Sequence, residues 1–199
     1  MDNIKEDLIS QIYTYFPKDV GILDEAYWTT KEFLNLKEKC QLIADNTSLW
    51  NSLYDSLREL FPYYLIIDKT AYHDFDRCYS LIITFNNQVN NIKYFEVFVS
   101  YIVPYYLICL TETDGKGSYK YSIYPFDSSN TVNEKTLFDL NIINETILKM
   151  FPYKMITPSI GKTILNDIAF QNLDFGEMSI YKAVFTNYIF PKSKSIINP

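Results

Sequence analysis

Tyr105-Tyr106-Leu107-Ile108-Cys109-Leu110-Thr111-Glu112-Thr113, then Asp114-Gly115-Lys116-Gly117, then Ser118-Tyr119-Lys120-Tyr121-Ser122-Ile123-Tyr124, is the stretch that decides the fold. A strand-length apolar run, a knot of turn formers and a second strand-length run predict a β-hairpin. In the second run Tyr119, Tyr121 and Ile123 fall on one face and Ser118, Lys120 and Ser122 on the other, which predicts a sheet with one solvated face. Working upstream, residues 93–103, 78–85 and 63–68 read as further strands, with a turn-rich segment over residues 86–91. Connections this short suit antiparallel pairing, since parallel neighbours need long crossovers. The centre of the chain is therefore predicted to be an antiparallel meander.

Helical spacing fills the first third. Ile4, Leu8, Ile12 and Tyr15 predict a helix that closes at Pro17. Phe33, Leu34, Leu36, Cys40 and Ile43 give the apolar face of a second, starting near Thr30. Thr47 is placed to cap a third, which carries Leu49, Trp50, Leu53, Tyr54, Leu57, Leu60 and Phe61 until Pro62 stops it. Downstream, a helix is expected within residues 134–151, an extended piece at 153–157, and a strand or helix at 179–190, while 161–170 fits neither period. The fold class is α+β: N-terminal helices packed on an antiparallel β-meander, with a C-terminal helix and strand. One domain over residues 1–199 is expected, helical over 1–61, sheet-rich over 62–125, mixed over 126–190, with a frayed tail at 191–199.

Phe61-Pro62-Tyr63-Tyr64, Val103-Pro104-Tyr105-Tyr106 and Phe151-Pro152-Tyr153-Lys154 echo one another, but the proline spacings are unequal, so no repeat architecture is implied. Proline before a strand marks its entry, where a missing N–H costs least.

The 199 residues are 48% apolar and 21% charged, which excludes a disordered or collagen-like chain. The net charge of −6 argues against nucleic-acid binding, which needs a basic face. Lysine far outnumbers arginine, and Ile, Asn and Tyr are plentiful, a bias of the kind AT-rich coding DNA produces. Cys40, Cys78 and Cys109 are an odd, widely spaced set and are expected to be buried, reduced thiols. The first residues lack the basic and apolar regions of a signal peptide, and no apolar run reaches membrane-spanning length, so a cytoplasmic, non-membrane protein is expected.

Reactive groups are sparse. His73 is the chain's one histidine and sits in Asp68-Lys69-Thr70-Ala71-Tyr72-His73-Asp74-Phe75-Asp76-Arg77-Cys78, the densest run of chemistry-bearing side chains. Zinc sites draw on more His and Cys, and calcium loops need glycine and a closing Glu, so no metal or cofactor is predicted. Ser159-Ile160-Gly161-Lys162-Thr163 carries the end of a phosphate-binding loop, but Ile156 stands where its first glycine belongs. Asp24/Glu25 and Glu6/Asp7 read as acids at helix starts.

What remains is surface character. Aromatic residues make up 17% of the chain, with 18 tyrosines, a residue enriched at interfaces. The sequence therefore predicts a non-enzymatic protein that binds one protein partner, a basic one, most specifically a bacterial immunity protein neutralising a cognate toxin by occlusion. Tyr72, Asp74, Asp76, Tyr119, Tyr121 and Tyr124 are the candidate partner-binding residues. Two rival expectations are an acid–base or metal-assisted hydrolase using Asp68, His73, Asp74 and Asp76, and a structural or adaptor subunit of a bacterial assembly.

Overall fold

Caps and prolines set the helix limits. The computed structural model describes residues 2–71, 76–88, 91–114, 116, 119–125 and 132–187. Helix α1 (Asp2–Ile12) buries Leu8 and Ile12, then tightens into three-residue turns, with Thr14 N–H donating to Gln11 and Tyr15 N–H to Ile12. The chain thus leaves the α-helix before Pro17, earlier than the apolar spacing predicts. Asp24 caps a short 3-10 turn, Glu25–Thr29, by accepting from Ala26 N–H at 2.9 Å. Thr30 caps α2 (Lys31–Ala44) through Phe33 N–H. Thr47 does precede α3 (Ser48–Leu60), but its hydroxyl accepts from the Asn51 side chain and makes no capping bond to the backbone. Helix α4 (Glu134–Met150) starts at Asn133, whose side chain accepts from Thr136 N–H.

The fold is α+β, with the meander in the order β1 (Leu65–Asp68), β2 (Cys78–Gln88), β3 (Asn91–Ser100), β4 (Tyr105–Thr113) and β5 (Tyr119–Ile123). All consecutive pairs are antiparallel. The turn expected over 86–91 is shorter than predicted. Asn86, Asn87 and Gln88 extend β2 and pair with Lys93, Ile92 and Asn91 past a register shift between Thr84 and Asn86. A sixth strand, β6 (Lys154–Met155), joins the sheet in parallel beside Tyr105 and Tyr106. Pro62, Pro104 and Pro152 each follow a buried apolar residue (Phe61, Val103, Phe151) and lead the chain into β1, β4 and β6.

Register separates the two faces, because directly paired residues point the same way. One face carries Tyr79, Leu81, Ile83, Phe95, Val97, Val99, Tyr106, Ile108 and Leu110, all buried. Helices α3 and α4 cover it. Trp50 stacks on Tyr79 with ring centroids 4.7 Å apart and donates to Asp68 at 2.9 Å, and Tyr106 donates to Asn144 of α4 at 2.6 Å. Burying an aromatic side chain the size of Trp50 contributes on the order of 3 kcal/mol.

The described residues cover only half of the opposite face. At the end of the sheet away from the hairpins, the last described elements lie over it: α5 (Pro158–Gly161), the small ribbon β7 (Ile164–Leu165) with β8 (Met178–Ser179), and α6 (Ile180–Val184). Phe98 meets Phe185 at 6.0 Å, and Ser100 donates to the Val184 carbonyl at 3.0 Å. Arg77, fully buried, fastens this cover. Its guanidinium donates to the Lys182 carbonyl at 2.7 Å and to Asn187 at 2.8 Å, and lies 5.0 Å over the Phe170 ring. Tyr13 ties α1 to the same region by donating to both carboxylate oxygens of Asp167. The segment over residues 179–190, left open between strand and helix, holds α6; the tail at 191–199 lies outside the described residues.

Candidate functional site

At the hairpin end the outer face has no helix over it among the described residues. Tyr94 and Glu96 project there from β3, Thr111 and Thr113 from β4, and Tyr119, Tyr121 and Ile123 from β5. Thr111 pairs directly with Tyr94 on one side and Tyr121 on the other, and Glu96 pairs with Ile82 and Cys109. Leu65 and Ile67 of β1 extend the same face and are exposed. The surface is therefore a shallow aromatic and aliphatic sheet with one acid near its middle.

Glu96 is the unusual group. Thr111, itself buried, donates to Oε2 at 2.7 Å; Oε1 receives no hydrogen bond from the described residues, and no lysine or arginine among them pairs with the carboxylate. Burial pushes the Glu96 pKa up, and the Thr111 bond pulls it back in part. The phenols around it respond to its charge. The Tyr121 pKa is pushed up to about 12, by burial first and then by Glu96 and Tyr119; Tyr94 is raised by burial and then by Glu96, Tyr121 and Tyr119. Tyr119 and Tyr121 stack with centroids 6.1 Å apart, and Tyr119 is 46% exposed. With their pKa values raised, the Tyr94 and Tyr121 phenols stay protonated at neutral pH and keep their hydroxyl donors.

Of the six residues singled out in the sequence, the four that are described, Asp76, Tyr119, Tyr121 and Tyr124, do not gather in one place. Tyr119 and Tyr121 share the face of Glu96. Tyr124 is tied to the helix-covered side, where its hydroxyl donates to Asn141 of α4 at 2.9 Å. Asp76 is half-buried beside Arg77, and its carbonyl accepts from the Cys40 thiol at 3.8 Å. Tyr72 and Asp74 lie outside the described residues, as does His73. Asp68, from the rival hydrolase set, accepts from Trp50 Nε1 and from Thr70 N–H, so both its oxygens are engaged in holding α3 and the β1 exit. Among the described residues no group of three His, Cys, Asp or Glu side chains could hold a metal ion. Cys40, Cys78 and Cys109 are free and buried, and burial raises each thiol pKa, that of Cys40 to about 11.

Glu96 and Tyr94 are the residues that the sequence reading passed over. The signal was present in Lys93-Tyr94-Phe95-Glu96-Val97-Phe98-Val99, where a charged residue interrupts one face of an otherwise apolar strand. Two grooves formed by described residues lie elsewhere. One of about 530 Å³ runs between α3 and β1 beside Arg58, Glu59 and Tyr64. Another of about 340 Å³ lies along α2 between Leu34 and Leu42, with Lys37, Glu38 and Gln41 interleaved. No helix among the described residues is long and apolar enough to cross a membrane. The chain matches no family model, no curated protein and no solved structure.

Proposed function

We propose that this is a non-enzymatic binding protein that docks one basic protein partner against the outer sheet face at its hairpin end. The observation that carries the proposal is the half-buried Glu96, without a cationic partner among the described residues, on a face presenting Tyr94, Tyr119 and Tyr121. A bare apolar sheet face would suit self-association; an acid placed among phenols suits a cation brought by another molecule. The net charge of −6 acts in the same direction at longer range, drawing a basic surface in and repelling a second acidic copy. In its most specific form the reading is an immunity protein that neutralises a cognate toxin, with the sheet face occluding a basic cleft, in the cytoplasm.

Mixing the purified protein with the product of its neighbouring gene tests this. A complex at micromolar concentration that weakens on Tyr121→Ala is the expected result. Absence of any complex, or a complex indifferent to substitutions at Tyr94, Tyr119 and Tyr121, counts against the reading.

A further inference from the structure

Glu96 asks for a counter-charge that the described residues do not supply. The groups facing it are Thr111, which donates to one oxygen; the Tyr94 and Tyr121 phenols, with Tyr119 beyond them; the Cys109 thiol opposite; and the Ile82 side chain on β2. None carries a positive charge. On the other side of the same strands the arrangement differs. There Lys93 and Glu112, directly paired, form a salt bridge at 2.8 Å, so this sheet does pair its charges where it has both signs available.

We propose that Glu96, with Tyr94, Tyr119 and Tyr121, forms the seat for one arginine side chain presented by the protein partner. The proposal deepens the binding function above and rests on it for the source of that arginine. Guanidinium suits the site on three counts. It is more weakly hydrated than an ammonium, so it loses less when drawn into a half-buried place. Its flat faces stack on phenol rings, and Tyr119, 46% exposed on this face, offers one. Its several N–H groups can reach Glu96 Oε1 and still donate to neighbouring oxygens, whereas Thr111 keeps Oε2. The bond formed is charge-assisted, and Thr111 and the strand backbone hold its acceptor in place before the partner arrives.

The probe is a blocked pentapeptide, acetyl-Gly-Gly-Arg-Gly-Gly-amide, compared with its citrulline and lysine counterparts by titration into isotope-labelled protein. Saturable amide shifts centred on residues 94–96, 111 and 119–121 with the arginine peptide are expected, with weaker binding of the other two. Glu96→Gln should weaken the arginine peptide by roughly tenfold or more, the size expected for a hydrogen bond to a charged group. Tyr121→Leu, which leaves the acid in place, should weaken it less. No saturable response, equal binding of the citrulline peptide, or lysine bound as tightly as arginine would each overturn the assignment. The two proposals fail separately. A neighbouring-gene product that binds through this face without needing Glu96 removes the arginine seat and keeps the binding function, whereas an arginine response with no partner complex does the reverse.

Discussion

The burial that raises the Glu96 pKa predicts a stability cost to the free protein at neutral pH, and that cost is measurable. A carboxyl whose pKa is higher in the folded than in the unfolded chain binds its proton more tightly when folded. Such a group leaves folding unpenalised in acid, where both states are protonated. Stability is then lost as pH rises through the ordinary carboxylate range to the raised folded value, and stays lost at neutral pH. Glu96→Gln keeps the shape, and its amide oxygen can still accept from Thr111. The variant is therefore expected to unfold at higher denaturant concentration than the parent at neutral pH, with the gain shrinking to nothing on acidification. Urea midpoints across a pH series read this directly, and a variant less stable at neutral pH would show that Glu96 contributes to folding. A residue found both to weaken the fold and to strengthen binding would mark a site kept for function. Glu96 was legible in the sequence as a charge within a strand; its missing cation was not, because that depends on which side chains β2, β4 and β5 bring beside it.

Elements show the same division between what is local and what is not. Strand β4 matches its predicted limits, α2 and α4 start at the visible caps Thr30 and Asn133, and α3 and α4 stop just before Pro62 and Pro152. The final described quarter resisted the same reading because its elements are only two to five residues long, too short to display a period. Gly161 illustrates the point. In sequence it belongs to a phosphate-loop fragment; in the fold it ends α5 with the buried Tyr181 ring of α6 lying where a Cβ would stand. Glycine is present there for close packing between two short helices, not for an anion. Gly161→Ala forces the methyl and the Tyr181 ring apart and should destabilise by roughly 1–3 kcal/mol, the usual range for overpacking a filled core. A fall in denaturation midpoint with arginine-peptide binding retained is the expected outcome; an alanine variant as stable as the parent would mean that α5 moves freely against α6.

At the scale of the whole molecule, charge and sheet exposure point the same way. Helices α3 and α4 cover the apolar part of one face of the meander, and the C-terminal elements, fastened by Arg77, bury the far half of the other. What the described residues leave open carries rings and one acid on a chain of net charge −6. In the proposed complex with a basic partner, these two features would act on different rate constants. Net charge acts before contact, over roughly the 8 Å screening length of physiological salt, and so governs how fast a basic partner arrives. In that complex Glu96 would act after contact, in a place the partner closes to water, and so would govern how slowly it leaves. Added salt is therefore expected to slow association of the partner steeply while changing its dissociation little, and Glu96→Gln to speed dissociation with a much smaller effect on association. Stopped-flow measurement of both constants across a salt series separates the two. An association rate indifferent to salt would remove long-range charge from the account, and a Glu96 effect confined to association would move that residue from the centre of the interface to its rim.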